Sequence, residues 1–516
     1  MSTTVSTTME IELKLLLDAN DNERLRQHPL VAAHSDGQSS HQNLLARYFD
    51  TADFALRRQQ AGLRVRQIDG MWIQTMKAGG SVRGGLHQRN EWKGPVKRAW
   101  PELGKLKKMM AADADWRALL DGDLAKRLET QFTVRVERDK WDVRVGDDDI
   151  ELVLDHGSVE HQEHSSPVNE IELELKSGSP QGLYAFALAL LDDIPLRLSN
   201  TSKAERGYAL CSQSGTTVSK ARAPALPAGA SVLQGMQAIV DSCLQQIQAN
   251  EDGVIHTDNP ESVHQMRVGV RRLRSALKLF DGAAPCPPEL LEEIDWLGGV
   301  LGGARDWEVL SGGTLQRLAD SPAALRHLLA IQQPVLLQAK QARHDAAQAL
   351  LSPRYTRLLL RFCSWLLELP AQAELDGATL ARPLQKFARD TIKRNQQRLL
   401  ERGKAIADGD AASLHRLRIA GKKARYALEF FQPLYRAGGV RRQIGALTAI
   451  QDELGRHNDL SVAGRLLAQL QQEHSGSAES IAFARGYLLA QQGQETGAVL
   501  KAWRAFKTLP PPRPAG

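Results

Sequence analysis

The sequence has few cysteines and no long apolar run. Its four cysteines, Cys211, Cys243, Cys286 and Cys363, are scattered singly, so no spacing indicates a zinc site or a redox pair. The best apolar stretch, Leu183–Leu191, is too short to span a bilayer. The first residues lack the basic segment and apolar core of a secretory signal. We therefore expect a cytoplasmic protein with no membrane partner.

Length and charge distribution predict more than one domain. A chain of 516 residues exceeds the size of one ordinary core. Residues 231–516 carry 36 basic and 28 acidic side chains, against 30 and 32 in residues 1–230, so the net charge of +6 belongs to the C-terminal half. This basic excess suits a polyanion or an acidic protein partner. The segment 211–231, rich in Ser, Thr, Ala, Pro and Gly, predicts a linker.

Charged residues recur at strand spacing throughout the N-terminal half. Side chains two residues apart on a β-strand point to the same side, so Glu10, Glu12 and Lys14 share one face. A surface sheet whose charges meet water explains any one such segment. It does not explain why acids dominate some strands and bases others, whereas a closed barrel lined by both can hold a polyanion and its divalent cations. The charged segments are residues 10–14, 63–66, 75–77, 89–91, 135–138 and 170–176.

Six sequence elements of this half carry a family resemblance. They are Glu10-x-Glu12-x-Lys14, Tyr48-Phe49-Asp50-Thr51, Leu63-Arg64-Val65-Arg66, the strand with Lys77, Arg89-x-Glu91, and Ser202-Lys203-Ala204-Glu205-Arg206-Gly207-Tyr208. With them, residues 9–210 resemble a CYTH domain, the triphosphate tunnel metalloenzyme family. The resemblance implies an antiparallel barrel of about eight strands around a tunnel. Arg135 and Arg138 cannot both point inward by strict alternation, and Arg138 fits the family pattern better.

The resemblance also implies roles for the charged residues. One carboxylate, for which we favour Glu172, would orient or deprotonate the attacking water, and the catalytic set would be Glu172, Lys14, Arg64 and Arg66. The ligands of a Mg²⁺ or Mn²⁺ ion, both of which prefer oxygen atoms, would be Glu10, Glu12, Glu170, Glu172 and Glu174. Phosphate binding would fall to Lys14, Arg64, Arg66, Lys77, Arg89, Arg138, Lys203 and Arg206. His41, His87 and His156 have no ligand spacing and are interpreted as surface or loop residues.

The C-terminal half is helical and contains an internal repeat. Strand signals almost vanish after the linker, and helical periodicity takes over. The segment from His264 to Arg274 returns from His415 to Arg425, and Asp306 has a counterpart in Asp459. Such spacing predicts two copies of one helical unit, each a bundle of about four helices, in residues 232–375 and 376–507. The Pro-rich tail, residues 508–516, is predicted to be disordered.

A cationic stripe runs along one face of the repeated helix. Positions 0, 3, 7 and 10 of a helix share a face, where like charges destabilise an isolated helix and call for acidic partners or a bound polyanion. A solvated basic face is the alternative. Residues 232–507 resemble the CHAD domain, a helical module associated with binding inorganic polyphosphate. The residues implied are His264, Arg267, Arg271 and Arg274, and His415, Arg418, Lys422 and Arg425.

Together these patterns predict an α+β chain of two domains, a barrel tunnel followed by an all-α domain. We expect a metal-dependent inorganic triphosphatase that cleaves tripolyphosphate to pyrophosphate and phosphate, with a helical domain that binds long-chain polyphosphate and associates with polyphosphate granules. No nucleic acid partner is expected. A non-catalytic polyphosphate-binding protein is the alternative from another class. An adenylate cyclase or a thiamine triphosphatase, both found in the CYTH family, also stays open.

Overall fold

The structure is a computed structural model that describes residues 7–35, 39–111, 113–212, 215–320, 322–376, 379–404, 411–473, 475–492 and 496–514. The chain folds into two compact units. The first comprises residues 1–217 together with Ser352–Glu368, and the second comprises residues 218–351 and 369–516. No described helix is both long enough and apolar enough to cross a membrane.

Within the described residues, eight strands of the first unit form one closed antiparallel barrel. Each strand pairs with the next in the order β5-β4-β3-β2-β6-β7-β8-β1, and β1 closes the ring by pairing with β5. A short ninth strand, β9, extends the sheet beside the end of β1. The predicted eight-stranded barrel is therefore confirmed. The strands are β1 (Thr7–Leu16), β2 (Ser40–Asp50), β3 (Ala61–Ile68), β4 (Met71–Arg83), β5 (Leu86–Val96), β6 (Glu129–Val145), β7 (Asp148–His161), β8 (His164–Ser177) and β9 (Arg197–Leu198).

Strand register places the charged rows inside the barrel. Directly paired residues share a face, and Lys14 lies opposite Glu172 while Arg138 lies opposite Asp155. Arg135 has the other parity, points outward and pairs with Glu160 at 3.1 Å. Strict alternation allowed only one of Arg135 and Arg138 to point inward, and the register shows that it is Arg138, the residue favoured by the family resemblance.

One end of the barrel interior is apolar. Tyr48, Phe132 and Val134 form a cluster there, and helix α8 (Lys203–Ser212) covers it with the ring of Tyr208. Gly207 allows the close approach, because a Cβ atom at this position would lie 2.2 Å from the Phe132 ring. The charged tunnel therefore occupies only part of the barrel length.

Asp50 connects the barrel wall to α8 and α3. Its buried carboxylate accepts hydrogen bonds from the backbone N–H groups of Leu56 and Arg57 in α3, at 2.8 and 3.0 Å. It also accepts from the hydroxyl of Tyr208, at 2.9 Å. The Asp of the Tyr48-Phe49-Asp50-Thr51 motif thus caps a helix and anchors α8, which is a structural role.

Short helices surround the barrel. A core built on Phe49, Trp92 and Leu106 buries the outer face of β3, β4 and β5 under α4, α5 and α6. Helix α7 begins with Pro180 after the N-cap Ser179, a favourable helix start. The helices of this part are α1 (Asn22–Arg26), α2 (Pro29–His34), α3 (Ala55–Arg58), α4 (Leu103–Met109), α5 (Ala114–Leu119), α6 (Leu124–Arg127), α7 (Pro180–Leu191) and α8 (Lys203–Ser212), with a 3₁₀ turn at Ala19–Asp21.

The second unit is helical. Helix α9 starts with a capping box formed by Ser231 and Gln234, and α11 starts with Pro260 after the N-cap Asn259. The helices are α9 (Val232–Gln248), α10 (Glu251–His256), α11 (Pro260–Phe280), α12 (Pro288–Val309), α13 (Pro322–Leu351), α14 (Pro353–Asp376), α15 (Leu384–Lys404), α16 (Ala411–Phe431), α17 (Ala437–Glu473), α18 (Ala478–Gln492) and α19 (Thr496–Lys507). Single turns lie at Leu310–Thr314, Leu315–Asp320, Gln432–Leu434 and Ser475–Ser477.

The repeat is visible in the order of helix packing. Helices α9, α11, α12 and α13 contact one another in sequence, and α15, α16, α17 and α18 repeat that order. One core nevertheless combines both copies, since Trp307 and Ile331 share it with Leu467 and Leu488. Two separate four-helix bundles are therefore not confirmed. The described part of the tail is hydrogen-bonded, because the carbonyl of Arg513 accepts from the Arg436 N–H.

Candidate functional site

Lys14 is enclosed by carboxylates inside the barrel. Its Nζ atom lies 3.1 Å from Oε1 of Glu12 and contacts Glu172 of β8. Burial opposes the charged form, but the carboxylates outweigh it and raise the pKa of Lys14 above its ordinary value. Lys14 is therefore a permanent cation at the centre of the acidic strands.

Lys203 and Arg138 complete the cationic surroundings of Glu172. Lys203 lies 3.0 Å from Glu172 and 2.6 Å from Asp155, and Arg138 donates to both oxygens of Asp155. Arg138 also reaches Glu172 at 3.3 Å. Burial opposes ionisation, yet Lys14, Lys203 and Arg138 hold the pKa of Glu172 well below its ordinary value. Glu172 therefore stays ionised and is a weak proton acceptor.

The other acids of β8 have different surroundings. Glu170 is fully buried, and its two oxygens accept from Lys203 and Arg206, each at 2.6 Å. Both carboxylate oxygens of Glu170, which were predicted to bind metal, are thus paired with protein cations. Glu174 pairs with Lys176 at 2.7 Å, and a quarter of its side chain is exposed.

Lys77 bridges the acids of β1 and β5. It contacts Glu10 and lies 3.8 Å from Glu12 and 3.9 Å from Glu91. Burial, together with repulsion from Glu12 and Glu91, raises the pKa of Glu10 to about 7 in spite of Lys77. Glu91 belongs to the Arg89-x-Glu91 motif without a predicted role, and the structure adds it to the site.

Arg64 and Arg66 differ from the other interior cations. Among the described residues, neither guanidinium has a carboxylate at ion-pair distance; Arg64 donates to the Tyr48 hydroxyl at 3.4 Å, and its buried Nε has no acceptor. Burial and the charges of Arg64 and Arg138 lower the pKa of Arg66. A guanidinium stays protonated near neutral pH, so this repulsion persists until an anion relieves it. The site therefore offers two cations for an anionic ligand.

His87 and Arg89 lie on the same inward face of β5. His87 is fully buried opposite Glu12, and its Nε2–H donates to the Ser199 carbonyl at 3.1 Å. Nδ1 is then unprotonated, and it has no hydrogen-bond partner. Burial, followed by the charge of Lys14, lowers the pKa of His87 to about 3. The interpretation of His87 as a surface or loop residue is wrong, and its position two residues before Arg89 was the available signal.

The interior carboxylates suit a hard divalent cation. Glu10, Glu12 and Glu172 offer only oxygen donors, which Mg²⁺ and Mn²⁺ prefer. Oε2 of Glu10 is buried and is contacted by the ammonium group of Lys77. No three described acidic or imidazole groups form a ready metal cluster, because lysine and arginine pair with the carboxylates. The donor chemistry fits a metal once a ligand draws these cations away.

The cationic helices of the two repeats meet in the helical unit. Arg271 of α11 donates to the hydroxyl of Tyr426 in α16, at 2.5 Å. Burial, followed by the charges of Arg418, Arg271 and Arg267, lowers the pKa of Lys422 to about 7. We call Arg267, Arg271, Arg418 and Lys422 the cationic cluster. Sequence reasoning placed these residues on two separate stripes, and the fold merges them.

Acids of the repeat lie beside the cationic cluster. Asp306 lies 3.6 Å from Arg267 and 3.5 Å from Arg465, and burial raises the pKa values of Asp306 and Asp459. The other predicted cations lie at the margin: His264 is partly buried near Arg305, Arg274 pairs with Asp295 at 2.6 Å, Arg425 pairs with Glu429 at 3.4 Å, and His415 is exposed.

Both units match known domain families. Residues 8–208 match the family model of the CYTH domain, and residues 238–468 match that of the CHAD domain. The protein therefore belongs to the chains that join a CYTH domain to a CHAD domain.

Individual relatives agree with this assignment. The inorganic triphosphatase of Haemophilus influenzae is 33% identical over 208 residues, which are 40% of this chain and 55% of that protein. The chain thus matches about half the length of this curated relative. A crystal structure of the CHAD domain from the plant Ricinus communis is 48% identical, covers 58% of this chain and all of its own, and gives a TM-score of 0.54.

Arg66 should destabilise the protein when no ligand is bound. In Arg66→Gln we expect an unchanged or higher unfolding midpoint, because repulsion from Arg64 and Arg138 is lost. Any midpoint rise that tripolyphosphate produces should shrink by about half or more, since Arg66 has no carboxylate at ion-pair distance among the described residues and would bind an anion directly. Calorimetry with and without tripolyphosphate measures both effects. Arg135→Gln, on the outer face, is the control; a lower ligand-free midpoint with an undiminished ligand effect would contradict the prediction.

Proposed function

We propose that the protein hydrolyses inorganic tripolyphosphate to pyrophosphate and phosphate with the help of Mg²⁺ or Mn²⁺. The observation that carries the proposal is the pair Arg64 and Arg66, which lie near buried carboxylates but have none at ion-pair distance in the part of the chain that the structure describes. A small polyanion with its metal ion neutralises both sets of charges at once. The relative from Haemophilus influenzae, named as an inorganic triphosphatase, supports the same substrate.

Substrate binding would rearrange the ion pairs of the tunnel. Phosphate oxygens would bind Arg64 and Arg66 first, with Arg89, Arg138, Lys203 and Arg206 as further contacts. Lys14 and Lys77 can then exchange a carboxylate for a phosphate oxygen, which frees Glu10 and Glu12. An anion would draw the lysines away from the carboxylates, which leaves those carboxylates to bind a metal ion. A metal ion on the carboxylates would in turn leave the lysines to bind the anion, so each ligand would favour binding of the other.

Hydrolysis of a phosphoanhydride depends mainly on positioning and charge neutralisation. A metal held by Glu10 and Glu12, with Glu172 beside them, would supply polarisation of the phosphoryl oxygens. Glu172 would accept a hydrogen bond from the attacking water and orient it, since its low pKa makes it a weak base. Lys14, Arg64 and Arg66 would stabilise the charge that develops on the phosphoryl oxygens. Glu170, paired with Lys203 and Arg206, would position those two cations.

The carboxylates of β1 should be required for turnover. We expect the parent protein to release phosphate from tripolyphosphate in the presence of Mg²⁺ or Mn²⁺, and we expect this release to stop when EDTA is added. Glu10→Gln/Glu12→Gln should lower the rate by about a hundredfold or more, because the proposed metal ligands lose their charge. Phosphate release from tripolyphosphate, ATP, thiamine triphosphate and long-chain polyphosphate measures the outcome.

Glu160→Gln is the matched control, because Glu160 lies on the outer face beside Arg135. A parent protein that turns over no substrate would favour a non-catalytic polyphosphate-binding protein. Faster turnover of ATP or thiamine triphosphate than of tripolyphosphate would replace the proposed substrate.

We further propose that the cationic cluster binds long-chain polyphosphate and can attach the protein to polyphosphate granules. Four cations of two repeats converge there, and burial together with repulsion from neighbouring cations lowers the pKa values of Arg267, Arg418 and Lys422. A polyanion would relieve that repulsion. Arg271 is fixed by Tyr426, so part of the cluster is already oriented for a ligand.

Loss of two arginines of the cationic cluster should weaken polyphosphate binding. In Arg267→Ala/Arg418→Ala we expect a dissociation constant about tenfold or more higher and a flatter salt dependence, because fewer counterions are released. Tripolyphosphate turnover should stay at the parent level. Titration of labelled polyphosphate at several salt concentrations measures the effect. Arg389→Ala/Arg441→Ala, which removes two exposed arginines, is the control; equal binding by both double variants would refute the assignment.

Polyphosphate binding should depend on pH through Lys422. The folded pKa of about 7 lies below the value of 10.5 for a free lysine, so between these pH values the unfolded chain binds more protons and the free protein gains stability as pH rises. A polyanion prefers the charged form, so binding should tighten as pH falls from about 8 to about 6.5. Lys422→Arg should remove most of this dependence, because arginine stays charged. Dissociation constants across this range test the sign, and a parent profile that Lys422→Arg leaves unaltered would exclude Lys422.

A further inference from the structure

The segment Ser352–Glu368 packs with the barrel although it lies within the residues matched to the CHAD domain. It forms most of helix α14. The Thr356 hydroxyl donates to the Leu196 carbonyl at 2.6 Å, and Nε2 of Gln181 donates to the Leu367 carbonyl at 3.1 Å. Thr356 and Leu360 are buried almost completely. The segment is thus held by specific hydrogen bonds and not only by apolar contact.

One side of the segment supports the turn between β4 and β5. Gly84 in this turn has φ of +52°, and a Cβ atom placed there would lie 2.2 Å from Sγ of Cys363. The hydroxyl of Tyr184 in α7 donates to the carbonyls of Arg83 and Gly84, at 3.3 and 3.4 Å. The turn is therefore confined between Cys363 and Tyr184.

The same turn binds the backbone of Lys14. The N–H of Lys14 donates to the Gly85 carbonyl at 2.9 Å. The Lys14 carbonyl accepts from the N–H of Ser199 at 3.0 Å, and Ser199 follows β9, which begins next to Leu196. Both peptide groups of Lys14 are thus hydrogen-bonded to segments that Ser352–Glu368 supports, the Gly84–Gly85 turn through Cys363 and the segment Leu196–Ser199 through the bond of Thr356 to Leu196.

We propose that Ser352–Glu368 is a positioning element of the barrel site, which holds the backbone of Lys14 through the Arg83–Gly85 turn and through β9. The effect on turnover rests on the proposed triphosphatase function, whereas the effect on Lys14 does not. Cys363 and Thr356 act through Lys14 and touch no substrate. A barrel cut off after the linker would retain every interior charge but would lose this support.

The coupling between Ser352–Glu368 and Lys14 can be tested in the full chain by introducing a clash between residues 84 and 363 and then relieving it. Gly84→Ala should lower kcat for tripolyphosphate by about tenfold, because small displacements of a charged group are costly in a preorganised site. It should also speed hydrogen exchange of the peptide that contains Lys14. Cys363→Ala alone should lower kcat only slightly, since it removes one sulfur contact with the turn while the hydrogen bonds of Thr356 and Tyr184 stay in place. The double variant should recover kcat to within about threefold of the parent and restore slow exchange, because a Cβ at residue 84 then lies 3.4 Å from the Cβ of residue 363 and 3.8 Å from the Tyr184 hydroxyl oxygen, which are tolerable contacts.

Gly146→Ala is the matched control, because Gly146 has φ of +60° and open space around its Cβ position. It carries the same backbone strain without the clash, so kcat and exchange at Lys14 should not change. Thr356→Val, which removes the bond to Leu196, provides a milder second variant with a smaller loss of kcat and the same exchange signature.

Three outcomes would overturn the proposal. In the first, Gly84→Ala lowers the unfolding midpoint but leaves kcat and the exchange at Lys14 at the parent level. In the second, Cys363→Ala does not relieve the defect of Gly84→Ala, and in the third, Gly146→Ala shows the same defect. A parent protein without turnover would reject the triphosphatase function only. The exchange measurements would still decide whether the segment holds Lys14.

Discussion

Charge compensation inside a closed barrel is the constraint on which the rest of the structure depends. A buried charge is costly unless an opposite charge and hydrogen bonds accompany it. Closure removes every strand edge and directs each second side chain inward, so acids and bases must satisfy one another there. Lys14, Lys203 and Arg138 do this around Glu172. The groups whose charge is least compensated, above all Arg66, are those that a bound polyanion and its metal ion would neutralise under the proposed function.

Elements outside the eight strands keep this arrangement in place. Helix α8 fills the apolar end of the barrel and brings Lys203 to its acids, while Asp50 anchors α8 through Tyr208. The segment Ser352–Glu368 supports the turn that binds the Lys14 backbone. The site is therefore assembled from a local strand pattern and from contacts that are remote in sequence. Since most interior charges are already paired, binding a substrate would exchange partners instead of creating charge.

Much of the barrel and its lining followed from strand alternation. Parity allowed only one of Arg135 and Arg138 to point inward, the family resemblance favoured Arg138, and the register agrees. His87 shares this inward parity, so strand face was the informative signal for it, whereas the lack of ligand spacing wrongly predicted a surface or loop residue. The engagement of both Glu170 oxygens by cations could not be predicted, because Arg206 arrives from a helix whose angle no local pattern specifies. The helical repeat was visible in sequence, but its shared core was not.

The sequence by itself determined which residues face a common side, since a period of two or of 3.6 residues is a local property of the backbone. It therefore determined the acidic and basic rows of the barrel and the cationic stripes of α11 and α16. Only the tertiary structure decided which of those charges neutralise each other and which lack an acidic partner. Ion pairing depends on distances of a few ångströms between segments far apart in the chain, and those distances are set by barrel closure, helix packing and the docking of Ser352–Glu368. The same packing brought two separate stripes into one cationic cluster.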